Sequence, residues 1–138
     1  MQRQTPQRRA ILSAVSAAQS PLTAEQVHTE VCSAFPRLAL TTVYRSLDAY
    51  VDAVIKEMDY VAENFQDKVL DTVYIGGGTP TTLEPEQLDR LITALKSKFD
   101  FSTVKEFTVE AGRADSITRE KLEVLHRHRV SRISVNPQ

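Results

Sequence analysis

Three adjacent glycines and a hydroxyl residue, Gly76-Gly77-Gly78-Thr79, form the segment of this sequence best suited to approach a small ligand. Glycine has no Cβ, so the backbone polar groups of such a loop can come close to an ammonium or a carboxylate. The loop follows a β-rich run, Val69-Leu70-Asp71-Thr72-Val73-Tyr74-Ile75. Glu110 ends a second such run and Gln138 follows a third. Parallel pairing of the three runs would gather these positions at the carboxyl end of one sheet, where barrel and open-sheet sites form. By itself, a strand ending in GGGTP also fits a plain tight turn.

A second set of residues suits phosphate and base edges. Arg8 and Arg9 lie near the start of one helical segment, and Tyr44 and Arg45 near the start of another. Arginine and tyrosine there can reach phosphates and groove edges. Tyr44 also falls on an apolar stripe, so core packing is its other role. The remaining chemical side chains read as structural. Cys32 reads as a buried thiol on a helix, and His28 has no partner ligands nearby in sequence. His126, Arg127, His128 and Arg129 flank a helix end, where positive charge complements the dipole.

The elements that position these residues follow from caps and periodicity. Thr5-Pro6 reads as an N-cap with proline at the first helical position. Ile11, Leu12 and Val15 then share a stripe that ends at Gln19-Ser20-Pro21. Thr23 and Gln26 have capping-box spacing, and Leu22 and Val27 staple spacing. Val27, Val31 and Phe35 share one face before Pro36. A third segment starts near Leu40, and its stripe runs through Val43, Leu47, Val51, Val54 and Met58 to Phe65 without glycine or proline. One helix over 40–65 would be about 37 Å long. From Val69 onward the period changes to strand, helix, strand, helix, strand. The second strand reads from Val104 to Val109, the shorter helix is marked by Leu122 and Leu125, and the third strand spans Ser131 to Val135. That order implies parallel pairing through right-handed crossovers. Arg129 sits where glycine commonly ends a helix, at a cost of about 1 kcal/mol if the backbone there is left-handed.

Composition narrows the class. The chain has 138 residues, 41% hydrophobic and 25% charged, a balance that argues against disorder. No apolar run approaches the roughly 18 residues of a membrane span, and the polar start Met1-Gln2-Arg3-Gln4-Thr5 is unlike a signal peptide. A soluble, cytoplasmic protein is expected. The single cysteine excludes an internal disulfide, a cysteine-based zinc site and a cluster held by three thiolates of this chain. The net charge of −1 is split: residues 1–48 carry five arginines against Glu25, Glu30 and Asp48, and the remainder is acidic. That weakly basic front is compatible with a phosphate partner.

Two resemblances then stand out. Thr5-Pro6-Gln7-Arg8-Arg9-Ala10-Ile11-Leu12, Leu22-Thr23-Ala24-Glu25-Gln26-Val27 and Leu40-Thr41-Thr42-Val43-Tyr44-Arg45-Ser46-Leu47 resemble the helical part of the ferric uptake regulator family's winged-helix domain. This implies a third helix in the DNA major groove, with Tyr44 at a base or sugar and Arg45, Arg8 or Arg9 at phosphates. The family's β-hairpin wing, cysteine-pair zinc site and dimerisation domain are not found here. From Tyr50 onward the sequence is similar to oxygen-independent coproporphyrinogen oxidase-like radical S-adenosylmethionine enzymes. The similarity lies in Tyr50–Glu57, Val73–Thr81, Phe107–Arg113 and Arg132–Gln138. It implies that Gly76, Gly77, Gly78 and Thr79 contact the methionyl part of S-adenosylmethionine, with Glu110 and Gln138 in or near the same site. The CxxxCxxC run of that family is absent, so no iron–sulfur cluster and no radical turnover are expected, and the barrel is partial.

The resemblances meet at residues 48–50, inside a helix. They predict an α/β chimera. A wingless helix-turn-helix segment (1–48) is joined by the long helix of about 40–65 to a three-stranded parallel β-α-β-α-β partial barrel (49–138). An engineered or selected chimera with no evolved catalytic activity, whose main property is its stable fold, is the leading expectation. Weak DNA binding and residual binding of S-adenosylmethionine or a nucleotide are the alternatives. A barrel fragment leaves strand edges and one sheet face bare. The N-terminal helices or a second copy would cover that face, and a homodimer is expected.

Overall fold

The computed structural model describes residues 5–17, 24–65, 68–77, 79–112 and 116–135. Helix α1 spans Pro6–Ala17 and starts as its cap predicts, with Arg8 N–H donating to Thr5 Oγ1 at 3.3 Å. Helix α2 spans Ala24–Cys32; the capping and staple residues Leu22 and Thr23, and the Gln19–Pro21 stop, lie outside the described residues. The helix stops short of Phe35, because the N–H groups of Ala34 and Phe35 both turn back to the Val31 carbonyl. Phe35 therefore packs on the N-terminal core from the turn.

Helix α3 spans Leu40–Asn64, 25 residues without a break, about 37 Å of rod. Its apolar stripe serves two cores in succession. Val43, fully buried, belongs with Ile11, Ala14, Val27 and Val31 of α1 and α2. Val51, equally buried, belongs with residues of the α/β part. Leu47 packs against both clusters. Continuity of the stripe through Asp48–Tyr50 is thus what joins the halves.

Strands β1 (Thr72–Ile75), β2 (Glu106–Ala111) and β3 (Arg132–Val135) form one parallel sheet in that order. Val69, expected in β1, makes only an isolated bridge to Asp100. Helices α4 (Pro85–Lys98) and α5 (Arg119–Arg127) make the crossovers. Register places Val73 beside Phe107, and Val109 between Ile75 and Ile133. That face packs on Val51, Leu88, Ile92 and Leu125 from α3, α4 and α5. The other face carries Thr72, Tyr74, Thr108, Glu110, Arg132 and Ser134.

One expectation needs correction. Helices α1 and α2 do not cover the bare face, because their apolar residues are committed to a cluster of their own. The bare face is polar and loses little by facing water. In α5, Leu122 points outward at 39% exposure, and Val124 and Leu125 carry the burial. Thr118 Oγ1 caps the helix by accepting from Lys121 N, and positions 121, 124 and 125, three and four residues apart, share its inward side. Arg129 does adopt the left-handed conformation, with φ 58°.

Candidate functional site

The end of β1 builds the site. Gly77 has φ +108°, a conformation that favours glycine. Its N–H donates to Glu110 Oε2 at 3.2 Å, linking the β1 loop to β2. A Cβ on Gly76 would meet Tyr74 Cε1 at 2.2 Å and Glu110 Oε2 at 2.9 Å. The glycine is therefore enclosed on two sides by an aromatic ring and a carboxylate. Thr79 is buried at 5% exposure, and its Oγ1 is the one buried side-chain polar atom without a partner among the described residues. Its carbonyl, by contrast, is used twice, by Thr82 N–H and Thr82 Oγ1. Gly78 and Gln138 lie outside the described residues.

Further down the open face, Glu106 accepts from Thr108 Oγ1 at 2.7 Å and pairs with Arg132 at 3.1 Å. The Thr108 hydroxyl, followed by Arg132, holds the Glu106 carboxyl below its usual range. Tyr74 is the residue that sequence reasoning missed. Alternation along β1 was the available signal, since positions 74 and 76 point to the same side.

An iron–sulfur cluster does not fit this donor set. Cys32, the only cysteine, lies in α2 with its Sγ 3.4 Å from His28 Nε2, in the N-terminal part of the fold. His28 Nε2 also lies 2.7 Å from the Leu38 carbonyl, which ties α2 to the start of α3. The glycine loop itself offers backbone without a Cβ and, at its side, the Glu110 carboxylate.

The residues expected to face DNA lie on two helices, Arg8 and Arg9 on α1 and Tyr44 and Arg45 on α3. Tyr44 is half-buried, and its hydroxyl donates to Glu25 Oε1 at 2.8 Å. That hydrogen bond, then burial, then the charges of Glu25 and Glu84, push Tyr44 up to about 12. One turn on, Asp48 accepts from Gln87 Nε2 at 2.8 Å, and Arg90 reaches the Asp48 carbonyl at 3.1 Å and Asp52 at 3.2 Å. The first turns of α4 thus lie against Asp48 and Asp52 of α3. A cleft of about 520 Å³ opens between Glu25 and Tyr44 on one side and Glu84, Glu86 and Glu120 on the other. Arg45 and Arg9 are exposed, and Arg8 is half-buried.

Residues 2–74 match the ferric uptake regulator family, a match that runs through α3 and into β1. The chain belongs to the ferric uptake regulator family. Its β1 pairs in parallel with β2, so the described residues that follow α3 form a crossover sheet and not a hairpin wing. The α/β part is homologous to coproporphyrinogen oxidase-like radical S-adenosylmethionine proteins. The chain is 38% identical over 107 residues to the oxygen-independent coproporphyrinogen-III oxidase-like protein HemZ of Bacillus subtilis, covering 75% of this chain and 21% of HemZ. It is 41% identical over 92 residues to the heme chaperone HemW of Lactococcus lactis, covering 67% of this chain and 23% of HemW. With the oxygen-independent coproporphyrinogen III oxidase of Salmonella typhimurium it shares 37% identity over 71 residues, 51% of this chain and 16% of the oxidase. The chain spans about a fifth of the length of these curated relatives. No solved structure matches it. The family match and the HemZ match overlap, since residues after Tyr74 are too few to hold the latter. Among the described residues no helix is long and apolar enough to cross a membrane.

Proposed function

We propose that this chain is a two-part chimera, a product of engineering or selection joined near residues 48–50, which binds a ligand of the S-adenosylmethionine class and performs no radical turnover with its own residues. One observation carries the binding: Glu110 Oε2 accepts from Gly77 N–H while closing on Gly76, at the carboxyl end of parallel strands. When bound, S-adenosylmethionine supplies a sulfonium and an amino-acid group. The chain's part is to receive them at the glycine backbone and the Glu110 carboxylate. Calorimetric titration with S-adenosylmethionine tests this, with saturable heat expected for the native chain and a marked loss for Glu110→Gln. No heat at millimolar ligand overturns it.

A second reading, weak DNA binding, is favoured by family membership and by exposed Arg45 and Arg9. Because Tyr44 is bonded to Glu25 and acidic groups surround it, binding is expected only at low salt and with little sequence preference. A gel-shift series with random and specific duplexes decides it, and no shift at low salt ends it. The reading also includes a homodimer, with a second copy covering exposed strand edges. A light-scattering concentration series showing monomer throughout removes that element.

A further inference from the structure

Arg129 takes up a backbone shape that suits glycine. It closes α5 with φ 58°, its N–H donating to the His126 carbonyl at 2.8 Å and Val130 N–H to the Leu125 carbonyl at 3.0 Å. A side chain there carries a cost that glycine avoids. No contact within the chain offsets it: Arg129 is exposed, and its guanidinium takes no hydrogen bond or ion pair among the described residues. Beside it, Lys96 of α4 donates to the His128 carbonyl and stands 5.4 Å from the centre of the Phe101 ring. Burial, and then the charge of Arg129, push the Lys96 ammonium below its ordinary value. Nearby carboxylates are taken, Asp89 by Arg127 and His128, and Asp59 by Lys98.

The opposite ends of the same helices carry the reverse charge. Glu84 and Glu86 begin α4, Glu120 begins α5, and none of the three is in an ion pair among the described residues. With Glu25 they line the cleft of about 520 Å³, where Lys121 is turned to the Thr81 and Ser116 carbonyls. Helix dipoles account for about half a charge at each helix end, so charge is left over at both poles. Helix α4 has 14 residues and spans about 21 Å, more than twice the screening length of about 8 Å at physiological salt. The two sets cannot meet within one copy.

We propose that the Lys96–Arg129 end of one copy docks head to tail in the acidic cleft of a second copy. A guanidinium projecting from a tight turn can engage carboxylates through several donors. The cleft falls in the size range of small-ligand pockets, about 300–1,000 Å³, and admits such side chains. The two surfaces differ, so the contact is heterologous and repeats into a ring or a chain of copies. It is carried by charge, and salt weakens it. A contact through strand edges lacks that salt dependence.

Sedimentation velocity on the full chain tests this, with circular dichroism to check folding. The native chain is expected to associate at about 20 mM salt and to be monomeric by about 0.5 M. Arg129→Glu and Glu86→Lys each reverse one side of the contact, so either alone should associate at least about tenfold more weakly. Mixed, the two should regain association, because the intact basic end of the Glu86→Lys chain meets the intact cleft of the Arg129→Glu chain. Arg129→Gly should melt no lower than the native chain while losing association, which separates the contact from the stability of the fold. A native chain that is monomeric at low salt overturns the proposal. So does association that survives either reversal or fails to return on mixing.

Discussion

Single side chains here act mostly by tying elements together. Asp89 shows this: it accepts from His128 Nε2 at 2.7 Å and from Arg127 Nη2 at 2.9 Å, joining α4 to the end of α5. The His128 hydrogen bond is the main reason its carboxyl is held below the usual range. A depressed carboxyl stabilises the fold above its unfolded value and loses that contribution as pH falls through its folded value. Asp89→Asn should therefore destabilise at pH 7, and the gap from the native chain should close on acidification below about pH 4, as read by urea denaturation at both pH values. Tyr44 has the opposite sign. Held up at about 12 against an ordinary 10.0, it stabilises below pH 10 and the effect fades as pH rises towards 12. Tyr44→Phe should cost about 1 kcal/mol at neutral pH, measured by chemical denaturation, and next to nothing near pH 12. The glycine loop and Glu110 were legible in the sequence because a missing Cβ and a strand-end carboxylate are local signals. The Tyr44–Glu25 and Asp89–His128 pairs were not, since each joins elements whose relative placement no local pattern encodes.

Among the elements, α3 decides the architecture. Its unbroken course was legible because a single 3.6-residue period runs from Leu40 past Tyr60 with no breaker. Ala49→Pro removes a mid-helix hydrogen bond and clashes with the carbonyl four residues back, a cost of about 3 kcal/mol or more. Thermal unfolding followed by circular dichroism should then split into two transitions, one per core. A single sharp transition in that variant would show that Leu47 and its neighbours are not the coupling. Ile92, fully buried in α4, makes the comparison: Ile92→Ala should cost about 2–5 kcal/mol and weaken the α/β core selectively. The orientation of α5 was less legible. Lys121 lies on its inward side, where its Nζ donates to the Thr81 carbonyl at 2.7 Å, a pairing across 40 residues that hydrophobicity alone does not reveal.

At the scale of the whole molecule, two small cores share one rod, and the sheet keeps one face open. Strand order and direction followed from the alternation of strand and helix. Which face would be covered did not, because that depends on where α1 and α2 place their apolar residues. The polar open face lowers the drive for a second copy to cover it, and β1 and β3 are the edges of the three-stranded sheet.

The docking of α4 on Asp48 and Asp52 has a thermodynamic consequence for the proposed DNA binding. A duplex seated over Asp48 and Asp52 and a packed α4 would exclude one another, so nucleic acid bound there would be linked to the loosened form of the α/β part. Oligonucleotide added at low salt should thus lower the melting temperature of this chain, acting as a mild denaturant where an ordinary ligand would protect. A rise in melting temperature would mean that the groove-facing surface lies elsewhere on α3.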